Sequence, residues 1–156
     1  MSIEDTTKLL SQMTLGGTPA DADYALRRRV QSVDAYLLGA DIPAGPNFLA
    51  IPVLLGEDKI RKVTAIRMFP SAGLAIAANS NSYRPRYHDG AGGVGAWLAA
   101  IFDGTAVAVV AAQTYTFTLI ADPTVPAGSV IEMVITENNA GRNDLHVVFE
   151  VEYEYV

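Results

Sequence analysis

The sequence predicts an all-β fold, a jelly-roll-like β-sandwich of about eight antiparallel strands preceded by an extended or partly helical N-terminal arm. Three observations predict it. Apolar and polar residues alternate with a period of two, turn signals recur roughly every 8–15 residues, and no helical stretch separates the apolar segments after residue 41. At 156 residues the chain has the length of one domain and can bury a core without disulfides or a metal.

Residues 1–28 are predicted to form the arm and residues 29–156 the sandwich domain. Ser2 can cap a short helix, and Gly16-Gly17 then breaks the chain. Only 18% of the residues are charged, against about a quarter in an average domain, so we expect a partner to cover part of the surface. Because the arm contains little core material, we expect it to supply contacts through its apolar and basic residues. These candidate interaction residues are Leu9, Leu10, Met13, Arg27, Arg28 and Arg29.

The apolar segments that we expect to form strands cover residues 48–55, 60–69, 74–78, 83–88, 97–102, 114–119, 130–136 and 149–155. Residues 21–38 fit either a helix or an edge strand, and we favour a strand over residues 29–37. Pro52 lacks the N–H that a sheet requires, so it places its strand at a sheet edge or at a bulge. Pro70 is expected to end the strand before it.

The last strand shows the clearest alternation. Its apolar face consists of Phe149, Val151, Tyr153 and Tyr155, and its other face of Glu150, Glu152 and Glu154. We favour the interpretation that these glutamates form the outward face of an end strand, where they promote solubility and block edge pairing. The alternative is that they meet a basic partner or lie near the axis of a symmetric oligomer.

Charge and composition argue against several function classes. A net charge of −6 and a pI near 4.7 disfavour nucleic-acid binding, which needs clustered Lys and Arg. A chain without cysteine has no disulfide, no catalytic thiol and no Cys-ligated zinc, which fits a reducing cytosol. No apolar run reaches the ~18–20 residues of a spanning helix, and the N-terminus lacks a signal-peptide pattern. We therefore expect a soluble protein with no nucleic-acid partner and no membrane partner.

The glycine segment at residues 90–95 matches GxGxxG, a dinucleotide-binding pattern. That chemistry needs a helix directly after the glycines and an acidic residue about 20 positions further on. Only seven residues separate Gly95 from the turn signal Asp103-Gly104, and no acidic residue stands at positions 110–115. The segment is therefore predicted to be a loop between strands.

No arrangement of residues points to catalysis, a metal or a cofactor. The two histidines, His88 and His146, have no second histidine at ligand spacing. His88-Asp89 could act as a base and its orienting carboxylate, but no nucleophile elbow surrounds Ser80 or Ser82. Nothing in the sequence indicates that the carboxylates of a glycosidase pair or a calcium site converge. The carboxylates considered for such sites are Asp122, Glu132, Glu137 and Asp144.

Aromatic residues at a spacing of two are expected in the core, where they bury a large apolar area. The set comprises Trp97, Tyr115, Phe117, Phe149, Tyr153 and Tyr155. The alternative is a sugar-binding platform, as in lectin-like sandwiches. It requires exposed aromatics, for which Trp97 and Tyr83 are the best candidates.

Several segments carry a resemblance to a known family. They are Ile60-Arg-Lys-Val63, Pro70-Ser-Ala-Gly-Leu74, the asparagine corner before Tyr83, residues 90–95, Gly104-Thr105-Ala106, Val125-Pro-Ala-Gly-Ser-Val130 and the closing strand 149–155. Over residues 60–156 the chain resembles β-sandwich proteins in the virions of tailed bacteriophages, among head decoration (cement) proteins and head fibres.

This resemblance implies a structural protein made in the host cytoplasm and added to the outside of an assembled capsid. Its partner would be the major capsid protein, and such proteins are commonly homotrimers at three-fold or quasi-three-fold positions. The glycine-broken arm and the low charge content are compatible with a clamp between capsid subunits. The alternative function is a carbohydrate- or receptor-binding module of a phage fibre.

Overall fold

The computed structural model describes residues 28–37, 49–56, 58–71, 81–89, 91, 93–104, 106–137 and 145–156. Over these residues the chain forms ten strands and no helix, as the alternation predicted. The strands are β1 (Arg28–Leu37), β2 (Leu49–Leu54), β3 (Arg61–Pro70), β4 (Asn81–His88), β5 (Val94–Trp97), β6 (Phe102–Asp103), β7 (Tyr115–Thr116), β8 (Thr124–Val125), β9 (Val130–Glu137) and β10 (Leu145–Tyr155). No helix that could cross a membrane is present in this part of the chain.

The strands form two antiparallel sheets. In the first sheet the order is β1-β10-β3-β7, and β8 also pairs with β3. In the second sheet the order is β2-β9-β4-β5, and β6 also pairs with β4. The edge strands β1 and β2 contact each other along one side of the molecule. The predicted β-sandwich is therefore confirmed.

The core lies between the two sheets, and the period-two faces of the long strands fill it. The buried side chains include Phe149, Val151 and Tyr153 of β10 and Ile131, Met133 and Ile135 of β9. Aromatic rings connect the sheets, since the ring centroids of Tyr83 in β4 and Phe149 in β10 are 6.2 Å apart. A fully buried apolar side chain contributes roughly 1.5–3 kcal/mol, so these two faces hold the sheets together.

Both predicted edge strands are confirmed. β1 lies at the edge of the first sheet and covers the predicted residues 29–37, beginning at Arg28. β2 lies at the edge of the second sheet, and its pairing with β9 shifts register between Pro52 and Leu54. The edge position and the bulge together accommodate a residue that cannot donate a backbone hydrogen bond.

Two predicted strands are not formed as expected, and β8 was not predicted. The expectation of one strand over residues 97–102 is wrong, because β5 ends at Trp97 and β6 begins only at the end of that range. Between them the chain pairs with the segment after β7, where Ala99 bridges Leu119. The residues after Thr116 therefore do not continue β7, and β7 is shorter than the strand that was predicted over residues 114–119.

The interpretation of the C-terminal glutamates is wrong on one point. β10 lies between β1 and β3, so these glutamates cannot block pairing at a sheet edge. Glu152 is buried, although it points away from the core, because neighbouring side chains cover it. The predicted strand at residues 74–78 and residues 1–27 of the predicted arm (residues 1–28) lie outside the described residues.

Candidate interaction surfaces

The outer face of the first sheet carries an ion-pair network, because the register of β10 with β3 places Glu150 directly opposite Arg67. Nη1 of Arg67 lies 2.6 Å from Oε1 of Glu150, and Nη2 lies 3.1 Å from Oε2 of Glu152. The hydroxyl of Thr64 donates to the other oxygen of Glu152 over 2.9 Å. These four residues are the first-sheet network.

The first-sheet network keeps a buried carboxylate hydrogen-bonded. The side chain of Glu152 is only 7% exposed, and burying a carboxylate is unfavourable unless donors replace the lost water. Arg67 and Thr64 supply such donors. The hydrogen bond to Glu150 raises the pKa of Arg67, against the opposing effect of burial. The network therefore has a structural role that needs no partner molecule.

Along β1, the outer face of the first sheet is exposed to solvent. Nε2 of His146 lies 2.7 Å from Oδ1 of Asp34, and the ring of Tyr36 meets the His146 ring edge-on with centroids 6.0 Å apart. The side chains of Tyr36 and Val30 are 66% and 55% exposed. An exposed aromatic and an exposed aliphatic residue on one edge strand make this area a candidate contact surface.

The outer face of the second sheet is built around Trp97. Cζ of Arg84 lies 4.5 Å and Cζ of Arg86 lies 5.7 Å from the centroid of the Trp97 ring. Nε of Arg86 is 2.5 Å from Oε1 of Glu132, and Nε2 of His88 is 3.4 Å from Oε2. Alternation along β4 places the three basic side chains on one face. A ring flanked by two guanidinium groups suits a polar or anionic partner.

The structure separates the two aromatic residues that were the candidates for a sugar-binding platform. Tyr83 has no exposed surface and pairs with Ile135 on the core side, so it cannot belong to a sugar platform. Burial also raises the pKa of Tyr83. Trp97, which the spacing placed in the core set, pairs with Arg86 on the outer face and is half-buried. The other aromatics of the predicted core set are buried or half-buried: Tyr115, Phe117, Phe149, Tyr153 and Tyr155.

The catalytic pairs considered from sequence do not form among the described residues. Nδ1 of His88 lies 2.8 Å from the backbone oxygen of Asp89, whereas the Asp89 carboxylate accepts the N–H of Gly93. Ser82 is buried and lies six positions from His88 along β4, which is roughly 20 Å in a strand. Ser80 lies outside the described residues.

The candidate carboxylates occupy separate places. Glu132 is held by Arg86, and Asp122 accepts a hydrogen bond of 2.6 Å from the hydroxyl of Thr124. Asp144 lies outside the part of the chain that the structure describes. Within that part, no group of three or more His, Cys, Asp or Glu residues could hold a metal ion.

The glycine segment at residues 90–95 was predicted to be a loop, but its last two residues belong to a strand. Gly95 lies within β5, so a strand and not a helix follows the glycines. A Cβ atom at Gly95 would overlap the carbonyl oxygen of Tyr87. The close approach of two strand backbones therefore explains this glycine without a phosphate ligand.

The structure places only two of the predicted arm residues. Arg28 and Arg29 open β1, where they pair with Glu154 and Tyr153 of β10. The others lie outside the described residues, namely Leu9, Leu10, Met13 and Arg27. The assignment of all six to a protein contact therefore stays a prediction.

Sequence reasoning missed the basic residues of both outer faces, Arg67, Arg84 and Arg86. A signal was present, since Arg84, Arg86 and His88 alternate within the predicted strand at residues 83–88. Alternation alone does not name the carboxylate that each arginine faces. That depends on which strand is the neighbour and in which register.

Comparisons with known proteins give a structural similarity and no match by sequence. No family model matches the chain, and no curated protein matches it. Two structures of infectious bursal disease virus, of the Gx and Gt strains, are weakly similar, with TM-scores of 0.36 and 0.35 and identities of 7% and 12%. The alignments cover 83% and 82% of this chain but only 33% and 36% of the viral chains.

A stronger similarity is to a chain from the acidic stable capsid structure of Helicobacter pylori bacteriophage KHP30. The TM-score is 0.52, the identity is 15%, and the alignment covers 83% of this chain and 88% of that chain. The alignment therefore spans most of both chains, although few residues are identical. The β-sandwich of this protein is a fold that also occurs in a bacteriophage capsid structure.

Proposed function

We propose that this protein is a structural component of a bacteriophage virion, namely a decoration (cement) protein that binds the outside of the head through the major capsid protein. The observation that supports this most is the similarity to a chain of the phage KHP30 capsid structure over 83% of this chain and 88% of that one. The sequence resemblance to head decoration proteins over residues 60–156 points the same way.

An apolar end of the sandwich supports a role in protein contacts. Leu55, Ile60 and Val156 are 71%, 46% and 76% exposed. The N–H of Val156 donates to the carbonyl of Ile60 over 3.2 Å, which places these two residues side by side. Arg61, the next residue, donates to the carbonyl of Leu55 over 2.9 Å. The three exposed residues therefore lie at one end of the sandwich and are its apolar end.

The arm joins the sandwich at this apolar end. β1 begins where β10 finishes, since Arg28 pairs with Glu154. Arg28, the last residue of the predicted arm, therefore lies at the end of the first sheet where β10 finishes. We propose that the arm and the apolar end together bury apolar area against neighbouring capsid subunits. Each 1,000 Å² of such area contributes about 25 kcal/mol gross, of which association costs leave only a part as net affinity.

The arm is tested by deleting residues 1–20 and measuring co-sedimentation with purified phage shells that lack the protein. We expect a folded sandwich, shown by an unchanged β-type circular dichroism spectrum, that no longer binds shells. The matched control is Ile101→Ser, which removes an exposed apolar residue away from the apolar end and should leave binding unchanged. Full binding by the deletion variant would contradict the role of the arm.

The oligomer is a separate part of the proposal. Decoration proteins of the type that this chain resembles are commonly trimers, so we propose a trimer of 16.6 kDa chains, about 50 kDa in total. Binding to the capsid exterior predicts that the protein can be added to finished shells. Native mass spectrometry measures the mass of the oligomer. Addition of purified protein to assembled shells, followed by co-sedimentation, measures binding to the capsid exterior.

Trp97 favours a second candidate function, a glycan- or receptor-binding surface on the outer face of the second sheet. Its half-buried ring lies beside Arg84 and Arg86, which could contact an acidic sugar. Glycan-array binding that is lost in a folded Trp97→Ala variant would support this function. Absence of binding to any glycan would remove it.

A further inference from the structure

The edge strand β1 has an unpaired side that is unusually regular. All ten of its residues pair with β10 without a register shift, and the strand contains no proline. No described strand pairs with its other side. The neighbouring edge strand β2 of the second sheet, by contrast, is interrupted by Pro52 and a register shift. A long edge without bulge or proline is the kind that accepts another strand.

The residues that alternate along β1 are symmetric about Val33. The register with β10 places Val30 and Tyr36 on the outer face, opposite Glu152 and His146. Each lies three positions from Val33, and each is more than half exposed. Ser32 and Asp34 lie between them on the same face, one position from Val33.

We propose that β1 pairs antiparallel with β1 of a second copy of this chain, around a two-fold axis that passes between the two copies of Val33. A two-fold axis perpendicular to the sheet keeps the outer faces of both copies on the same side. Val30 of each copy then lies opposite Tyr36 of the other, and Ser32 lies opposite Asp34. Directly opposite side chains in an antiparallel pair have Cβ atoms about 4.5–5.5 Å apart.

This register gives each of the four outer side chains between residues 30 and 36 a suitable partner in the other copy. The two exposed apolar residues, Val30 and Tyr36, cover each other twice across the axis, and aromatic–β-branched pairs are favourable in sheets. The hydroxyl of Ser32 can donate to the carboxylate of Asp34 in the other copy. The pairing also joins the first sheets of two copies into one continuous sheet and removes the open edge.

The neighbouring registers are less favourable. A shift by two residues in one direction places the two copies of Asp34 opposite each other, so their charges repel. A shift by two in the other direction places Val30 opposite Asp34 and leaves Tyr36 opposite Arg28. A shift by one residue places outer side chains opposite core-facing ones, which the alternation of the sheet forbids. The Val33 register is therefore the one that we propose.

The groove beside β1 adds to the interface. It has a volume of about 380 Å³, lies between the two edge strands, and includes Val33, Pro52 and Leu54 in its lining. With the axis between the two copies of Val33, the grooves of two copies meet on the inner side of the paired strands. This brings the half-buried Val33 side chains of both copies into contact and removes more apolar surface from water.

This interface goes beyond the proposed function and does not depend on it. A protein that is otherwise monomeric becomes a dimer by this pairing. A trimer that presents the same edge is joined to a second trimer, which gives six copies. In both cases the assembly contains an even number of copies, whereas a trimer without this pairing contains three.

The register is tested by disulfide trapping, for which the absence of cysteine provides a clean background. Val30→Cys and Tyr36→Cys variants are co-expressed with different tags and oxidised mildly. We expect a disulfide between the two variants and none when either is oxidised alone. The register control is Ser32→Cys, which crosslinks to itself only if the pairing is shifted by two residues.

Association is tested by a charge change and its rescue. Tyr36→Glu places a carboxylate opposite Val30 twice per symmetric pair, so we expect the dissociation constant to rise about tenfold or more. Adding Val30→Lys restores association, because opposite charges then face each other. Adding Val110→Lys, at a 51% exposed valine elsewhere, does not restore it. Sedimentation velocity measures the association, and circular dichroism verifies folding.

Three outcomes would overturn the pairing. One is self-crosslinking of Ser32→Cys in place of the Val30→Cys with Tyr36→Cys product. Another is an association state that Tyr36→Glu leaves unchanged in a folded protein. The third is a monomeric mass of the unmodified chain at all concentrations without any crosslink. Each of these can occur while shell binding is retained, so failure of the pairing is distinguishable from failure of the proposed function.

Discussion

Arg67 in β3 and Glu150 in β10 face each other across the outer surface of the first sheet, with Nη1 and Oε1 2.6 Å apart. The two residues are 83 positions apart in the chain, and only the pairing of β3 with β10 brings them together. The same arginine also reaches the buried carboxylate of Glu152. One side chain therefore compensates two negative charges on the central strand of the sheet.

Arg67→Met is expected to lower the free energy of unfolding by about 2–3 kcal/mol, because the buried Glu152 carboxylate loses donors. The loss is smaller than for a fully buried pair, since the Arg67 side chain is 26% exposed and solvent screens the charge. Urea denaturation measures it. The matched control is Lys62→Met at an exposed position of the same strand, with an expected change within about 0.5 kcal/mol. An equal effect of both substitutions would contradict the network's role.

Gly95→Ala and Gly128→Ala separate a steric requirement from a conformational one. At Gly95 a methyl group would overlap the backbone of Tyr87, so β5 must move away from β4 and we expect a loss of about 2–3 kcal/mol. At Gly128, where φ is +78° and space is open, alanine costs only the left-handed conformation, about 1 kcal/mol. Thermal and urea unfolding of both variants measure the difference. A smaller loss at position 95 than at 128 would show that the strands are not in close contact.

The burial of the Tyr83 hydroxyl leads us to expect a loss of stability at alkaline pH. Burial raises its pKa in the folded protein, whereas the unfolded chain ionises it near the ordinary value of 10.0. Full stability is therefore present below pH 10, and stability is lost as the pH rises from 10 toward the folded-state pKa. The contribution of this residue is about 1.4 kcal/mol per pH unit in that window. Tyr83→Phe should remove it, measured as the difference in unfolding free energy between the two proteins at pH 8 and pH 11. A difference that does not change with pH would contradict the burial of this hydroxyl.

Ala112→Gly is expected to stabilise the protein by about 0.5–1 kcal/mol. Ala112 has a φ of +61°, and its N–H donates to the carbonyl of Pro70 over 2.8 Å, which holds it in the left-handed region. An L-residue costs about 1–2 kcal/mol there, and the greater freedom of glycine in the unfolded chain offsets part of the gain. The neighbouring Ala111 has no positive φ, so Ala111→Gly should destabilise by about 0.5 kcal/mol. Differential scanning calorimetry of the two variants compares them directly, and a loss at both positions would refute the assignment.

The sequence was sufficient for the features that depend on neighbouring residues. Alternation identified the inward face of β10, and the missing N–H of Pro52 predicted an edge position or a bulge for β2, of which the structure has both. The accidental nature of the glycine pattern also followed from the absence of a helix after it. These inferences succeeded because a period of two and the chemistry of proline and glycine act over a few residues.

The sequence was insufficient for the orientation of Trp97 and Tyr83 and for the surroundings of the last strand. Trp97 lies outside and Tyr83 inside because β4 pairs with β9 and β5 in particular registers. The C-terminal strand was interpreted as an end strand, but β1 pairs with ten of its eleven residues. Each of these outcomes depends on a strand that is distant in sequence, and a shift of one residue would reverse the face of every side chain.

By itself, the sequence determined that this protein is an all-β sandwich, because the alternation of apolar and polar residues leaves one face of each strand to be buried. Only the tertiary structure decided which strands are neighbours, and with that the ion pairs of both outer faces. The reason is that pairs such as Asp34–His146 are 112 positions apart, and backbone hydrogen bonding between strands is nearly independent of side-chain identity. Packing of the whole core therefore selects the partners and registers that local patterns leave open.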